Sequence, residues 1–113
     1  MKRVKRRYLA IQVESTSTLH PRVLIDAIWN GVSLLYGEYG ASKTNLSLIE
    51  YNSETNRAIL RTSLVSLNQV RASLITITSI ADTQVSLHVL AISGTIKALK
   101  KNILKNQYNP VFK

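Results

Sequence analysis

His20 and His88 are the side chains in this sequence best suited to move a proton near neutral pH. Two such groups, one removing a proton from an RNA 2′-hydroxyl and one delivering a proton to the leaving oxygen, are what a metal-independent ribonuclease needs. His20 stands immediately before Pro21, where a helix-capping or turn role suits it, and His88 lies inside a strand-like run, where a satisfied, partly buried ring is expected. No third group offers to orient either ring. The segment GEYGASKT, residues 37–44, approaches the phosphate-binding loop G-x-x-x-x-G-K-[ST]. It departs from it at Ser42, where the loop requires glycine. It departs in context too, because that loop follows a strand and opens a helix, whereas here a helix precedes and a strand follows. Gly37 and Gly40 therefore read as a helix stop and a turn, and Lys43 as an exposed cation available to a phosphate. Asp26, Glu38, Glu50, Glu54 and Asp82 fall one to an element with no ligand spacing, so neither a catalytic residue nor a metal site is expected. The absence of cysteine excludes a disulfide framework, a thiolate nucleophile and thiolate-bound zinc.

The concentrated feature is charge. The 113 residues hold 15 Lys plus Arg against 6 Asp plus Glu, a formal charge of +9. Five cations (Lys2, Arg3, Lys5, Arg6, Arg7) fall in residues 1–7 and five more (Lys97, Lys100, Lys101, Lys105, Lys113) in residues 97–113, with no acid in either segment. The body between is nearly neutral. Basic clusters of this kind are the electrostatic footprint of phosphate binding. Lys2, Arg3, Lys5, Arg6, Arg7, Lys43, Lys97, Lys100, Lys101 and Lys105 are the candidate RNA-binding residues, with Arg22, Arg57, Arg61 and Arg71 weaker. The basic N-terminus lacks the apolar run of a signal peptide or membrane span, so a soluble, cytoplasmic protein with no membrane partner is expected.

The elements that must position these groups follow from periodicity. Residues 8–14 alternate as a strand. A helix starts at Pro21 and runs to about Tyr36, stopping at Gly37. Leu24, Ile25, Ile28, Trp29, Val32, Leu35 and Tyr36 share its core face, and Val23, Ala27 and Leu34 form a second apolar stripe that suits a protein neighbour. Residues 45–51 and 57–63 read as a hairpin. A second helix follows, with Ser66 and Gln69 at capping-box spacing, then a turn at 82–84. Residues 85–93 form a strand apolar on both faces: Val85, Leu87, Val89 and Ala91 on one, Leu90 and Ile92 on the other, the last two being further candidates for a protein interface. A basic amphipathic helix occupies residues 95–106. The expected fold is a single α+β domain, a two-layer α/β sandwich whose four-stranded antiparallel sheet has the ferredoxin-like or RNA-recognition-motif-like order β-α-β-β-α-β, plus the extra basic helix. Its core spans residues 8–94, with basic tail 1–7 and tail 107–113. Of the two strands expected at the sheet centre, residues 8–14 offer only Tyr8 and residues 57–63 no aromatic, so there is no platform for stacking bases.

The opening KRRYLAIQV (residues 5–13), the long segment 24–52 containing YGEYGASK (36–43), the helix start NQVRASL (68–74) and the ending VSLHVLAISGTIKALKK (85–101) together resemble the archaeal and eukaryotic ribonuclease P protein component 2 family. The resemblance runs from about residue 2 to 104. It implies a non-catalytic subunit of an archaeal ribonucleoprotein, in which the RNA subunit, with its own magnesium, removes the 5′ leader from precursor tRNA. It also implies no cofactor bound by the protein, and a heterotetramer with protein component 3 built around two copies of this chain. An autonomous ribonuclease and a general single-stranded RNA binder are the alternatives.

Overall fold

The computed structural model describes residues 5–17 and 19–107, with side chains as far as residue 102. Strand β1 (Arg6–Ser15) is followed by helix α1 (Pro21–Ser42), the hairpin β2 (Ser47–Asn52) and β3 (Arg57–Ser63), and a 3₁₀ turn, Leu64–Ser66. Then come α2 (Leu67–Thr76), β4 (Ser79–Ile80), β5 (Thr83–Ser93) and α3 (Ile96–Gln107). The strands form one antiparallel sheet in the order β2-β3-β1-β5-β4.

The sheet therefore has five strands, not the expected four. The extra one arises because Ser79 and Ile80 fold back on Gln84 and Thr83 through a two-residue turn in which Ala81 (φ 51°) and Asp82 (φ 64°) are both left-handed, the geometry that matches the twist of a tight hairpin. The turn consequently lies at 81–82, ahead of the expected 82–84. The N-terminal boundary also shifts. Arg6 and Arg7 belong to β1, paired with Ser63 and Thr62, and the Leu64 amide donates to the Lys5 carbonyl at 2.7 Å, so these cations stand on the sheet and not in a tail.

Alternation along β1 fills both faces. Leu9, Ile11 and Val13 pack with Leu24, Ile28 and Val32 of α1, Val70 and Leu74 of α2, Leu60 of β3, and Val85 and Leu87 of β5. Burying each such side chain contributes roughly 1.5–3 kcal/mol. On the other face Ala10 and Ile59 pack beneath Leu99 of α3, which is fully buried. The basic helix thus covers the face opposite α1 and α2, adding a third layer to the two-layer sandwich. Ala10 is the small residue in this second contact, and β5 and β2 are irregular at the same level. The β1–β5 register shifts between Ala10 and Ile11, leaving Leu90 as the extra residue. The β2–β3 register shifts between Leu48 and Glu50, leaving Ile49 as the extra residue. Such bulges bend a strand and strengthen its twist, here beneath α3.

The bulge at Leu90 corrects the expected faces of β5. Leu90 and Ala91 pack on the α3 side, whereas Ile92 packs with the main core, so Leu90 and Ile92 lie on opposite faces.

The first helix does meet a stop at Gly37, whose φ of 78° and ψ of 166° lie in a region essentially reserved for glycine. Beyond it the chain re-enters helix as far as Ser42. Leu35 and Tyr36, expected in the core, are 47% and 39% exposed, in the last residues before the break at Gly37. At Gly31 a Cβ would stand 3.2 Å from Ile77 Cδ1, which is how α1 comes close to the end of α2. Ser66 is the N-cap residue of α2 but makes no capping bond. Its hydroxyl turns instead toward the Lys43 carbonyl, at 3.5 Å.

Candidate nucleic-acid interface

Sequence-distant cations meet at one end of the sheet. β1 begins there, so Lys5, Arg6 and Arg7 are placed beside the end of β3. The loop carrying Lys43 is fixed at the same end by a buried polar cluster. The Ser63 amide (2.7 Å) and the Thr62 hydroxyl (2.9 Å) both donate to the Thr44 carbonyl. The Ser63 hydroxyl donates to the Lys43 carbonyl (3.3 Å), and the Thr44 hydroxyl to the Ala41 carbonyl (2.7 Å). Thr44, Thr62 and Ser63 are fully or almost fully buried, and with every hydroxyl bonded they hold the loop without an unpaired buried group. Lys43 itself is exposed, its ammonium 4.6 Å from the centre of the Tyr39 ring. Arg61 lies across from Tyr8 on one side and Ser47 on the other. The sequence placed it among the weaker candidates, and only the register shows that it joins this group.

The start of α3 is at this end too. Tyr8 pairs with Ser93, the Arg7 guanidinium reaches to 3.5 Å from where a Cβ on Gly94 would stand, and Thr95 caps the helix by accepting from the Ala98 amide at 3.2 Å. Lys97 and Lys101 are exposed. Lys100 is not simply a solvated cation, since its ammonium lies 3.2 Å from Glu50 of β2 and ties α3 across the sheet. Lys105 lies in α3 with its side chain outside the described residues, and Lys2 and Arg3 precede the described chain.

Three of the six acids lie at the opposite end. Glu14 pairs with Ser86 near the end of β1, Glu54 occupies the β2–β3 turn, and Asp82 the β4–β5 turn. Glu38 falls instead in α1 before the Lys43 loop and Glu50 faces Lys100, so the separation of charge is partial.

The two histidines are not brought together. His20 caps α1, its Nδ1 accepting from the Arg22 amide at 3.1 Å, on the helix-covered side. His88 is paired with Gln12 on the face toward α3, and it is exposed, not partly buried, with Nε2 at 3.3 Å from Glu14 and 3.0 Å from the Ser86 hydroxyl. The sheet lies between them. Among the described residues no three His, Asp or Glu side chains cluster as metal ligands, and no helix is long and apolar enough to cross a membrane.

Of the apolar interface candidates, Val23, Ala27 and Leu34 are brought together. They line one side of a groove of about 520 Å³ whose other side is Ile77, Ile80 and Ala81. Leu34 is 87% exposed and Val23 37%. Leu90 and Ile92 are half-buried against two different clusters and form no joint surface.

The structure defines a small basic protein of mixed α/β fold, with cations gathered at one end of its sheet. The comparisons specify its family. Residues 7–104 match the Rpp14/Pop5 family, and the chain belongs to it. It is 33% identical over 102 residues to ribonuclease P protein component 2 of Pyrococcus furiosus, covering 90% of this chain and 85% of that one. It is 33% identical over 110 residues to the protein of the same name from Methanobrevibacter smithii, covering 91% and 92%. A chain in the cryo-EM structure of yeast ribonuclease MRP superposes with a TM-score of 0.69 over 96% of both chains, at 12% identity, a likeness of fold.

Proposed function

We infer that this chain is a protein subunit of ribonuclease P that binds and stabilises the catalytic RNA for removal of the 5′ leader from precursor tRNA. Its match to component 2 proteins along nearly their whole length carries the reading, and the basic end gives it a physical basis. A ribozyme must bring strands of like charge together around its metal site. Cations held on a folded scaffold reduce that repulsion, and with it the magnesium the RNA requires. Lys5, Arg6, Arg7, Lys43 and the α3 lysines supply them, while the protein itself binds no cofactor. The four long strands keep the ferredoxin-like order, with β4 added at one edge. The groove of Val23, Ala27 and Leu34 is the surface for a protein neighbour, component 3 or a second copy in a heterotetramer, and the complex works in the cytoplasm.

The deciding experiment is co-purification with the component 3 homologue and the RNA subunit, followed by precursor tRNA cleavage with and without this chain. Omitting the chain is expected to lower cleavage at limiting magnesium. Equal cleavage without it at every magnesium concentration overturns the reading. Replacing Lys97, Lys100, Lys101 and Lys105 together by Ala is expected to raise the magnesium needed for half-maximal cleavage, and an unchanged requirement removes α3 from the RNA contact. Replacing His20 and His88 by Ala is expected to leave the RNA-supported reaction intact.

A further inference from the structure

We propose that a groove at the basic end, lined by Arg6, Arg61, Trp29, Asn45 and Ser47, is a binding site for one nucleotide unit of an RNA chain, a backbone phosphate with its attached ribose and base. The proposal rests on the RNA-binding reading above and gives it a definite place. The groove has a volume of about 380 Å³ and is completed by Ser42 and Leu46. That is within the range of small-ligand sites.

Its chemistry is that of an anion site. No carboxylate lines it. Arg61 is half-buried, yet its guanidinium makes one long bond, to the Ser47 hydroxyl at 3.5 Å, and neither Arg61 nor Arg6 has an acidic partner among the described residues. A guanidinium carries five N–H donors in a fork that fits a phosphate. Withdrawing one partly from water without an anion is unfavourable, and an incoming phosphate relieves it. Asn45 holds a left-handed backbone, φ 53°, beside Thr44, whose buried bonds keep this wall fixed before any ligand arrives.

Trp29 selects a nucleotide over a bare anion. It packs against the main core, half-buried, while also lining the groove, so an aromatic surface stands beside the two arginines. Stacking of a base on such a surface is tolerant of sequence. The site thus lies at the sheet's end, where the scarcity of aromatics along the central strands, Tyr8 alone, is no obstacle.

Trp29 is the single tryptophan of the chain, so its emission reports this groove directly. The full-length chain is titrated separately with ribonuclease P RNA, with precursor tRNA and with inorganic phosphate. At least one RNA is expected to change the emission well below the phosphate concentration that does so; which one responds identifies the source of the nucleotide. Arg6→Ala with Arg61→Ala is expected to weaken that RNA about tenfold and to reduce the slope of log affinity against log salt by about 1 to 2. Arg61→Lys is expected to keep the salt slope but recover only part of the affinity, since a point charge does not reproduce the fork. Thermal melting checks the fold, and if the double Ala variant melts early, Arg6→Ala and Arg61→Lys carry the comparison. Unchanged affinity and slope in the folded variants, emission indifferent to both RNAs, or equal response to phosphate overturns the nucleotide site. If the unaltered chain still supports cleavage in that case, the subunit reading survives; if it neither binds RNA nor supports cleavage, both fall.

Discussion

Two single residues carry opposite backbone strain. Gly37 adopts φ 78° and ψ 166° with nothing within 4 Å of a Cβ placed there, so the penalty of Gly37→Ala comes from the backbone alone, about 1–3 kcal/mol. Ala81 is the reverse case, an alanine with φ 51° in a two-residue hairpin turn that favours glycine or asparagine at this position. Ala81→Gly is therefore expected to raise stability by about 1 kcal/mol. Urea unfolding of both variants checks the pair, and equal signs would refute the assignment. The helix stop at Gly37 was readable from the residue type; the strain at Ala81 was not, because nothing in the type alanine announces a left-handed turn. Arg61 teaches the same lesson for the site. As one cation in an alternating strand it resembled any solvated arginine, and its value comes from the register that sets it between Tyr8 and Ser47.

At the scale of elements, Leu99 is the fully buried side chain of α3 among the described residues, seated over Ala10 and Ile59, with the exposed Lys100–Glu50 pair beside it. Leu99→Ala is expected to cost about 3 kcal/mol and to raise amide exchange in α3 before it does so in β1 or β3. Simultaneous loss of protection in all three would show that α3 does not open separately. Lys100→Ala is expected to shift stability by no more than about 1 kcal/mol. Helices and strands were legible because apolar side chains recur with period 3.6 or 2, and that pattern is local. The two bulges were not legible, since an extra residue such as Leu90 or Ile49 changes only the phase of the alternation, and a sequence shows the phase without showing which neighbour it is measured against. The pairing of Leu90 with Ile92 as one surface failed for this reason. Val23, Ala27 and Leu34 do fall together along one groove, because no bulge interrupts α1 before Gly37.

At the scale of the molecule, the composition showed two basic termini, whereas the fold gathers cations from across the sequence at one end of the sheet and leaves Glu14, Glu54 and Asp82 at the other. Antiparallel pairing turns residues 5–7, the loop at 43 and the start of α3 to the same side, which separation in sequence conceals. Association with RNA should slow steeply with added salt. Stopped-flow mixing over a salt series checks this, and a flat dependence would contradict it. Charge reversal at the basic end, such as Arg7→Glu, should slow association more than the same change in net charge made at the far end. The ten-residue β1 is about 33 Å long, roughly four Debye lengths at physiological ionic strength. Glu14, Glu54 and Asp82 are therefore too distant to mask Arg6 and Arg7 from an approaching phosphate, but once that end has docked they sit where any second anionic strand would be repelled. The sheet then acts as an electrical spacer, insulating its grip from its own counter-charge and giving a small protein a front and a back before any specific contact forms.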